Sequence, residues 1–171
     1  MADVIPERIR WAVETLAVEP DERLLEIGGG PGVAASLVCE RLDRGSLLLI
    51  DRSATAIERT RRRNLGHVAS GRLALETVDV TAFKPGKAQF DKAFAVNVNV
   101  FWTTPATEEL ARIREALDHD GRLYLFYEMT SPARARQTVA RVANALRANG
   151  FAEPQLLSRS KSLGGCVARL A

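Results

Sequence analysis

The chain has 171 residues, enough for one domain of ordinary size with a full core. Apolar residues make up 46% and charged residues 26%, the balance of a soluble globular protein. The formal charge is +3, from 24 basic and 21 acidic residues, too small and too evenly spread to demand a nucleic-acid partner.

The N-terminus, MADVIPERIRWAVETL, is interrupted by acids and arginines and lacks the apolar stretch of a signal peptide. No later run is long enough to span a membrane, so a cytoplasmic protein is expected. Cys39 and Cys166 have no metal or redox spacing; they suit a reducing compartment and are expected in the core, with no metal site.

Residues 1–171 read as a single domain of alternating helices and strands, residues 1–20 forming an N-terminal helical unit. Pro6 opens the first helix, where a missing N–H costs little, and Ile9, Val13 and Leu16 give it an apolar stripe. Trp11 lies about 200° from Ile9 on a helical wheel, off that stripe, at ~100° per residue. RLLEI is a buried strand, followed by a helix PGVAASLVCERL that begins at the glycines. SLLLID is a second strand, whose unbroken apolar run suits a parallel sheet covered on both faces. Ser53 can cap the helix ATAIERTRRRN. RLALETVD is a third strand, and FDKAFAVNVNV contains a fourth. ATEELARIREALDHDG is an amphipathic helix stopped by Gly121, and RLYLFYE is a fifth strand. Pro132 precedes a helix ended by Gly150, and PQLLSRS and GCVARLA close the chain as a strand pair. This alternation predicts an α/β fold, a doubly wound, mostly parallel seven-stranded sheet with helices on both faces and an antiparallel C-terminal pair at one edge.

In such sheets a ligand binds beyond the carboxyl ends of the strands, where the strand order reverses. Glu26 and the glycines, Asp51, Asp79, Asn97 with Asn99, and Tyr127 with Glu128 all follow or end strands, and are expected on that rim. His67 and His119 each precede a strand and are expected on the opposite one. The loop GGGPGV fits a dinucleotide fingerprint poorly, because Val33 stands at the third glycine position, and no phosphate-loop Lys-Ser/Thr pair follows. An acid at position 26 would repel a pyrophosphate but suits a cationic ligand. Asp51 lies where a carboxylate accepts both hydroxyls of a ribose, and Asp79 can accept from an exocyclic amine. The implied ligand has a cationic end, a ribose and a base, without a phosphate.

LLEIGGGPG, LLLIDRS and LETVDV together resemble the class I S-adenosylmethionine-dependent methyltransferases, over nearly the whole chain from about Asp21 onward. The resemblance implies S-adenosylmethionine as cofactor and S-adenosylhomocysteine as product. It implies that Glu26 serves the methionine ammonium and that Gly28, Gly29 and Gly30 admit the methionine part and ribose. Asp51, with Arg52 beside it, would bind the ribose diol. Asp79 with Val80 would hold the adenine, and Asn97 would border the cofactor. Trp102 would begin the loop toward substrate. Beside the resemblance, Asn99 at the strand end and Trp11, off the stripe of the first helix, are candidates to meet substrate.

Each assignment has a plainer rival. The glycines could form only a turn, Asp51 and Asp79 could be helix caps, Asn99 a strand terminator, and Trp11 and Trp102 packing residues. The arginines at 59, 61, 62 and 63, and at 134, 136, 141 and 147, suit solvated helix faces better than an RNA site. A base is needed only if the methyl acceptor must lose a proton; with both histidines on the far rim, Glu128 and Tyr127 are the catalytic candidates. The expected function is methyl transfer to a small molecule, with a homodimer allowed. The alternatives are an RNA or protein methyltransferase and a cofactor-binding module without chemistry. No Asp/Asn-Pro-Pro-Tyr/Phe motif follows the fourth strand, which argues against nucleic-acid exocyclic amines as acceptors.

Overall fold

A computed structural model of the protein describes residues 4–87 and 89–171. The chain runs α1 (Glu7–Leu16), β1 (Arg23–Ile27), α2 (Val33–Cys39), β2 (Ser46–Asp51), α3 (Ala54–Arg63), α4 (Leu65–Ala69) and β3 (Leu73–Thr77). It continues through β4 (Phe90–Val96), α5 (Val100–Thr103), α6 (Thr107–Ala116), β5 (Leu117–Glu128), α7 (Pro132–Ala148), β6 (Gln155–Ser158) and β7 (Leu163–Arg169). The seven strands form one sheet in the order β3-β2-β1-β4-β5-β7-β6. The first five are parallel, and β7 is antiparallel to both β5 and β6. The expected closing hairpin is present, with β6 at the edge.

The parallel strands are apolar on both sides because helices cover both faces. Alternation divides their side chains. Leu24, Leu47, Leu49, Phe94 and Phe126 join a core with α1, α2 and Ile57 of α3. Leu25, Ala93, Ala95, Leu123 and Leu125 join the opposite core with α6 and α7. Two helix starts follow sequence rules: the Ser53 Oγ accepts from the Ala56 N–H at 3.2 Å, and the Ser131 Oγ from the Arg134 N–H at 3.3 Å ahead of Pro132. Cys39 and Cys166 are buried, unpaired core residues, as expected.

Several sequence expectations need correction. The helix over ATEELARIREALDHDG ends at Ala116, and the segment DHDG belongs to β5. Leu117 pairs with Phe90 and the register then slips to Lys92 against Arg122. Gly121 permits this bulge, since a Cβ there would sit 2.8 Å from the Asp118 carbonyl oxygen and 2.9 Å from that of Phe90. The short helices α4 and α5 were not legible, being too brief to show a period. Trp11 belongs to the core: it is 7% exposed and meets Phe126 edge-on, with ring centroids 5.1 Å apart. Helix α1 is buried across Trp11, Ala12, Val13 and Leu16, a wider arc than its apolar stripe marks.

The order reverses between β1 and β4, the neighbours at the centre of the sheet. The chain leaves β1 for the α2 face and β4 for the α6 face, so a crevice opens beyond their carboxyl ends. Among the described residues, no helix is long and apolar enough to cross a membrane.

Candidate functional site

The glycine loop after β1 is held by backbone and by α3. The Gly28 N–H donates to the Ile50 carbonyl at 2.8 Å, and the Gly30 N–H donates to Asp51 Oδ2 at 3.2 Å. From α3, the Thr60 hydroxyl donates to the Gly30 carbonyl at 2.9 Å, and the neighbouring Asn64 Nδ2 donates to that of Gly32 at 3.1 Å. Both side chains are buried, and their part in shaping the loop was not legible in the sequence. Gly30 takes φ +53° and faces open space where a side chain would project. A Cβ at Gly29 would fall 2.3 Å from Leu49 Cδ1 and 3.1 Å from the Glu26 carboxyl carbon. Glycine there lets the loop lie directly over Glu26.

Two cavities open at this loop. The larger, about 490 Å³, is lined by Asp51, Arg52, Val78, Asp79, Val80, Asn97, Val98, Asn99, Thr103 and Glu109 among others. The smaller, about 190 Å³, is lined by Pro6, Arg8 and Ile9 of the N-terminal segment, Glu26, Gly28, Gly29, Gly30, Val96 and Asn97. They meet at Gly28 and Asn97. The residues predicted for the cofactor thus converge, coming from four different strand ends.

Glu26 is 3% exposed and faces the α1 side of the sheet, where its neighbours along the strands are apolar. Its Oε2 has no hydrogen-bond partner among the described residues. Burial, and secondarily the charge of Asp51, push its pKa up to about 8. Asp51 accepts from Gly30 through Oδ2 and from the Ser53 N–H through Oδ1 at 2.8 Å, so a carboxylate at the end of β2 couples the loop to α3. Asp79 accepts through Oδ1 from the backbone and hydroxyl of Thr81, at 3.0 and 2.8 Å. Those bonds, aided by the charge of Arg52, hold its carboxyl below the usual range. Asn97, at the junction of the cavities, has φ +57°, a conformation uncommon for a residue with a side chain. It is held there by its N–H to the Phe126 carbonyl at 2.8 Å and by Oδ1 accepting from the Glu128 N–H at 2.8 Å.

The expected catalytic and substrate residues divide differently. Tyr127 is 1% exposed, and its hydroxyl donates to the Val98 carbonyl at 2.9 Å. Burial holds the phenol far above its ordinary pKa. Strand alternation turns Tyr127 into the α7-side core, where it props the loop after β4 rather than lining the rim. Glu128, one residue on, is at the rim with 41% of its side chain exposed and pairs with Arg8 at 2.9 Å. Trp102 lines neither cavity. It packs on the α7-side core and borders a shallow groove with Arg141, Asn144 and Asn149. Its Nε1 donates to Asn99 Oδ1 at 3.3 Å, which fixes the Asn99 side chain at the edge of the larger cavity. Trp11, buried against Phe126, likewise lines neither cavity. Sequence reasoning missed Arg8, Thr103 and Glu109. Arg8 carries no local signal, and only the docking of α1 against β4 and β5 brings it to the smaller cavity that Glu26 also lines. Among the described residues no three His, Cys, Asp or Glu side chains are grouped to hold a metal.

The strand order, the antiparallel β7 inserted beside β5, and an acid-lined crevice under a glycine loop define a Rossmann-like domain with a candidate ligand site at the switch point of the sheet. The sequence match agrees: residues 25–123 fit the methyltransferase domain, and the chain belongs to that family. The matched span holds the glycine loop, Asp51, Asp79 and Asn97. The chain is similar in fold to the pyocyanin biosynthetic protein PhzM, with TM-score 0.79 and 17% identity over 96% of this chain and 54% of that one. It is similar to the mitomycin 7-O-methyltransferase MmcR at TM-score 0.75 and 17% identity, over 95% and 54% of the two chains. A SAM-dependent O-methyltransferase from Thermotoga maritima aligns at TM-score 0.77 and 11% identity, over 100% of this chain and 68% of the other. The chain therefore spans about half the length of PhzM and MmcR. No curated protein sequence matches it.

The histidines lie away from the crevice. His67 is in α4, ahead of β3, and His119 is at the start of β5, 83% exposed between Asp118 and Asp120. A strand of about six residues spans roughly 20 Å, so neither imidazole reaches the carboxyl rim. The double change His67→Gln, His119→Gln should leave methyl transfer within a few-fold of the parent, read by radiolabel incorporation. A loss beyond about a hundredfold with folding intact would contradict this placement.

Proposed function

We propose that the chain is an S-adenosylmethionine-dependent methyltransferase acting on a small molecule. The observation that carries the cofactor is the orphaned Glu26 Oε2, a buried acceptor beside a glycine loop. A cationic amine is the group that satisfies it, because a buried acceptor without a donor is costly and a carboxylate accepts charge-assisted bonds. In this reading Glu26 accepts the methionine ammonium and Asp51 accepts the ribose hydroxyls. Asp79 and Val80 meet the adenine, while Val78 and Val98 supply apolar wall to the same cavity. The three carboxylates Glu26, Asp51 and Asp79 that line the two cavities fit an ammonium, a ribose and an adenine amine.

When bound, the cofactor would supply a methyl group on a sulfonium, which an acceptor takes by in-line displacement. The chain's own work is then orientation and exclusion of water. The strained turn at Asn97 fixes the wall between the two cavities, and Tyr127 fixes Val98. Glu128 lines neither cavity, but its N–H is bonded to Asn97 and its half-exposed carboxylate pairs with Arg8 at the mouth of the smaller one, which makes it the candidate to take a proton or anchor a substrate cation. A small-molecule acceptor is favoured by the modest net charge and by the names of MmcR and PhzM. A cytoplasmic setting and a homodimer remain part of the proposal; the unpaired buried cysteines suit the first.

Calorimetry should show S-adenosylhomocysteine binding at micromolar levels and NAD much more weakly. Tight NAD binding without S-adenosylhomocysteine binding would refute the reading. Salt-sensitive RNA binding by the cofactor-loaded protein would favour the RNA alternative instead.

A further inference from the structure

Arg8 is paired with one carboxylate, Glu128, and shares a cavity with a second, Glu26. It lines the smaller cavity together with Glu26, and its Nη1 is bonded to Glu128 Oε2 at 2.9 Å. The pair is half-exposed, at 36% and 41% of the side chains, so its strength is modest and the guanidinium can change partner at small cost. The smaller cavity is lined by the buried Glu26, an acceptor that a cationic ligand would hold ionised, and by the cationic Arg8, across a volume of about 190 Å³. That is the complement of an amino-acid zwitterion. Glu128 in turn is tied through its N–H to Asn97, which lines both cavities.

We propose that Arg8 exchanges partners: it leaves Glu128 for the α-carboxylate of the cofactor, and the exchange frees the Glu128 carboxylate for the acceptor side of the rim. Occupancy of the zwitterion site is thereby coupled to the charge presented to substrate. The inference rests on the proposed cofactor and deepens it by giving α1 a role in recognition. It also predicts that Glu128 competes with ligand for Arg8.

Calorimetry with S-adenosylhomocysteine and with 5′-methylthioadenosine, which lacks the amino-acid end, tests it without turnover. Arg8→Gln should weaken S-adenosylhomocysteine about tenfold and leave methylthioadenosine unchanged. Glu128→Gln should tighten S-adenosylhomocysteine about two- to fivefold, the strength of an exposed ion pair, and should have no effect in the Arg8→Gln background. If Glu128→Gln weakens S-adenosylhomocysteine, Glu128 orients Arg8 and the exchange is overturned. Equal loss of both ligands in Arg8→Gln overturns the zwitterion contact. Failure of the parent to bind either ligand refutes the cofactor assignment itself, a different result from both.

Discussion

Glu26→Gln should stabilise the ligand-free protein at alkaline pH and cripple cofactor binding. With a pKa of about 8 in the fold against 4.5 ordinarily, Glu26 holds a proton in the native state that the unfolded chain has released across that window. Stability therefore falls as pH rises from the ordinary glutamate range to about 8, and is flat in this respect beyond it. The loss amounts to about 5 kcal/mol as an upper order of magnitude, from ~1.4 kcal/mol per unit of pKa. Gln carries no such dependence, so denaturant titrations at about pH 6 and pH 9 should show the parent losing stability and the variant holding it. Binding runs the other way. A cationic ligand favours the carboxylate and expels the proton, so affinity in the parent should climb with pH up to about 8. Gln leaves the ammonium without a counter-charge, costing about 2–5 kcal/mol at high pH and less in acid, where the parent is itself protonated. Calorimetry in buffers of different ionisation enthalpy would show proton release in the parent and none in Glu26→Gln. PH-independent affinity in the parent would rule out the ammonium contact.

Asp51→Ala should weaken S-adenosylhomocysteine by about 1.5–3 kcal/mol, roughly 10–150-fold, the range for hydrogen bonds to a charged group. Two effects combine in that loss. The ribose hydroxyls lose their acceptor, and the Gly30 and Ser53 N–H groups lose the carboxylate that ties the loop to α3. Asp51→Asn separates them, since one amide oxygen can keep a loop bond while the negative charge goes. The charge of Asp51 is also the second cause of the raised Glu26 pKa, so Asp51→Asn should move the Glu26 transition toward lower pH. Unchanged cofactor affinity in Asp51→Ala would defeat the ribose assignment, with thermal unfolding as the check that the loop remains formed.

The acids of the site were legible because each is a local break in pattern. Glu26 interrupts an apolar strand before glycines, and Asp51 ends an apolar run where a helix cap follows. Asp79 falls beyond β3, in the turn that its own bonds to Thr81 close. Strand ends are readable from the change in hydrophobic period, and topology then sends them all to one rim. Trp11 and Trp102 follow the plainer of their two readings, as packing residues. Tyr127 was placed at the rim by its position along the chain, but a side chain's direction depends on strand phase and on what packs over it. Tyr127 and Glu128 are adjacent in sequence and point to opposite environments, one into the α7-side core and one to the rim.

By itself the sequence determined the alternating architecture, the glycine loop and the set of carboxylates at the strand ends. It did so because hydrophobic period, glycine and charge are local properties of the chain. The tertiary structure alone decided three things: that α1 brings Arg8 into the cavity lined by Glu26, that α3 secures the loop through Thr60 and Asn64, and that Glu109 and Thr103 line the larger cavity. Those contacts join residues from separate helices and strands, and no short-range pattern records them, because they follow from how helices dock over the crossover of β1 and β4.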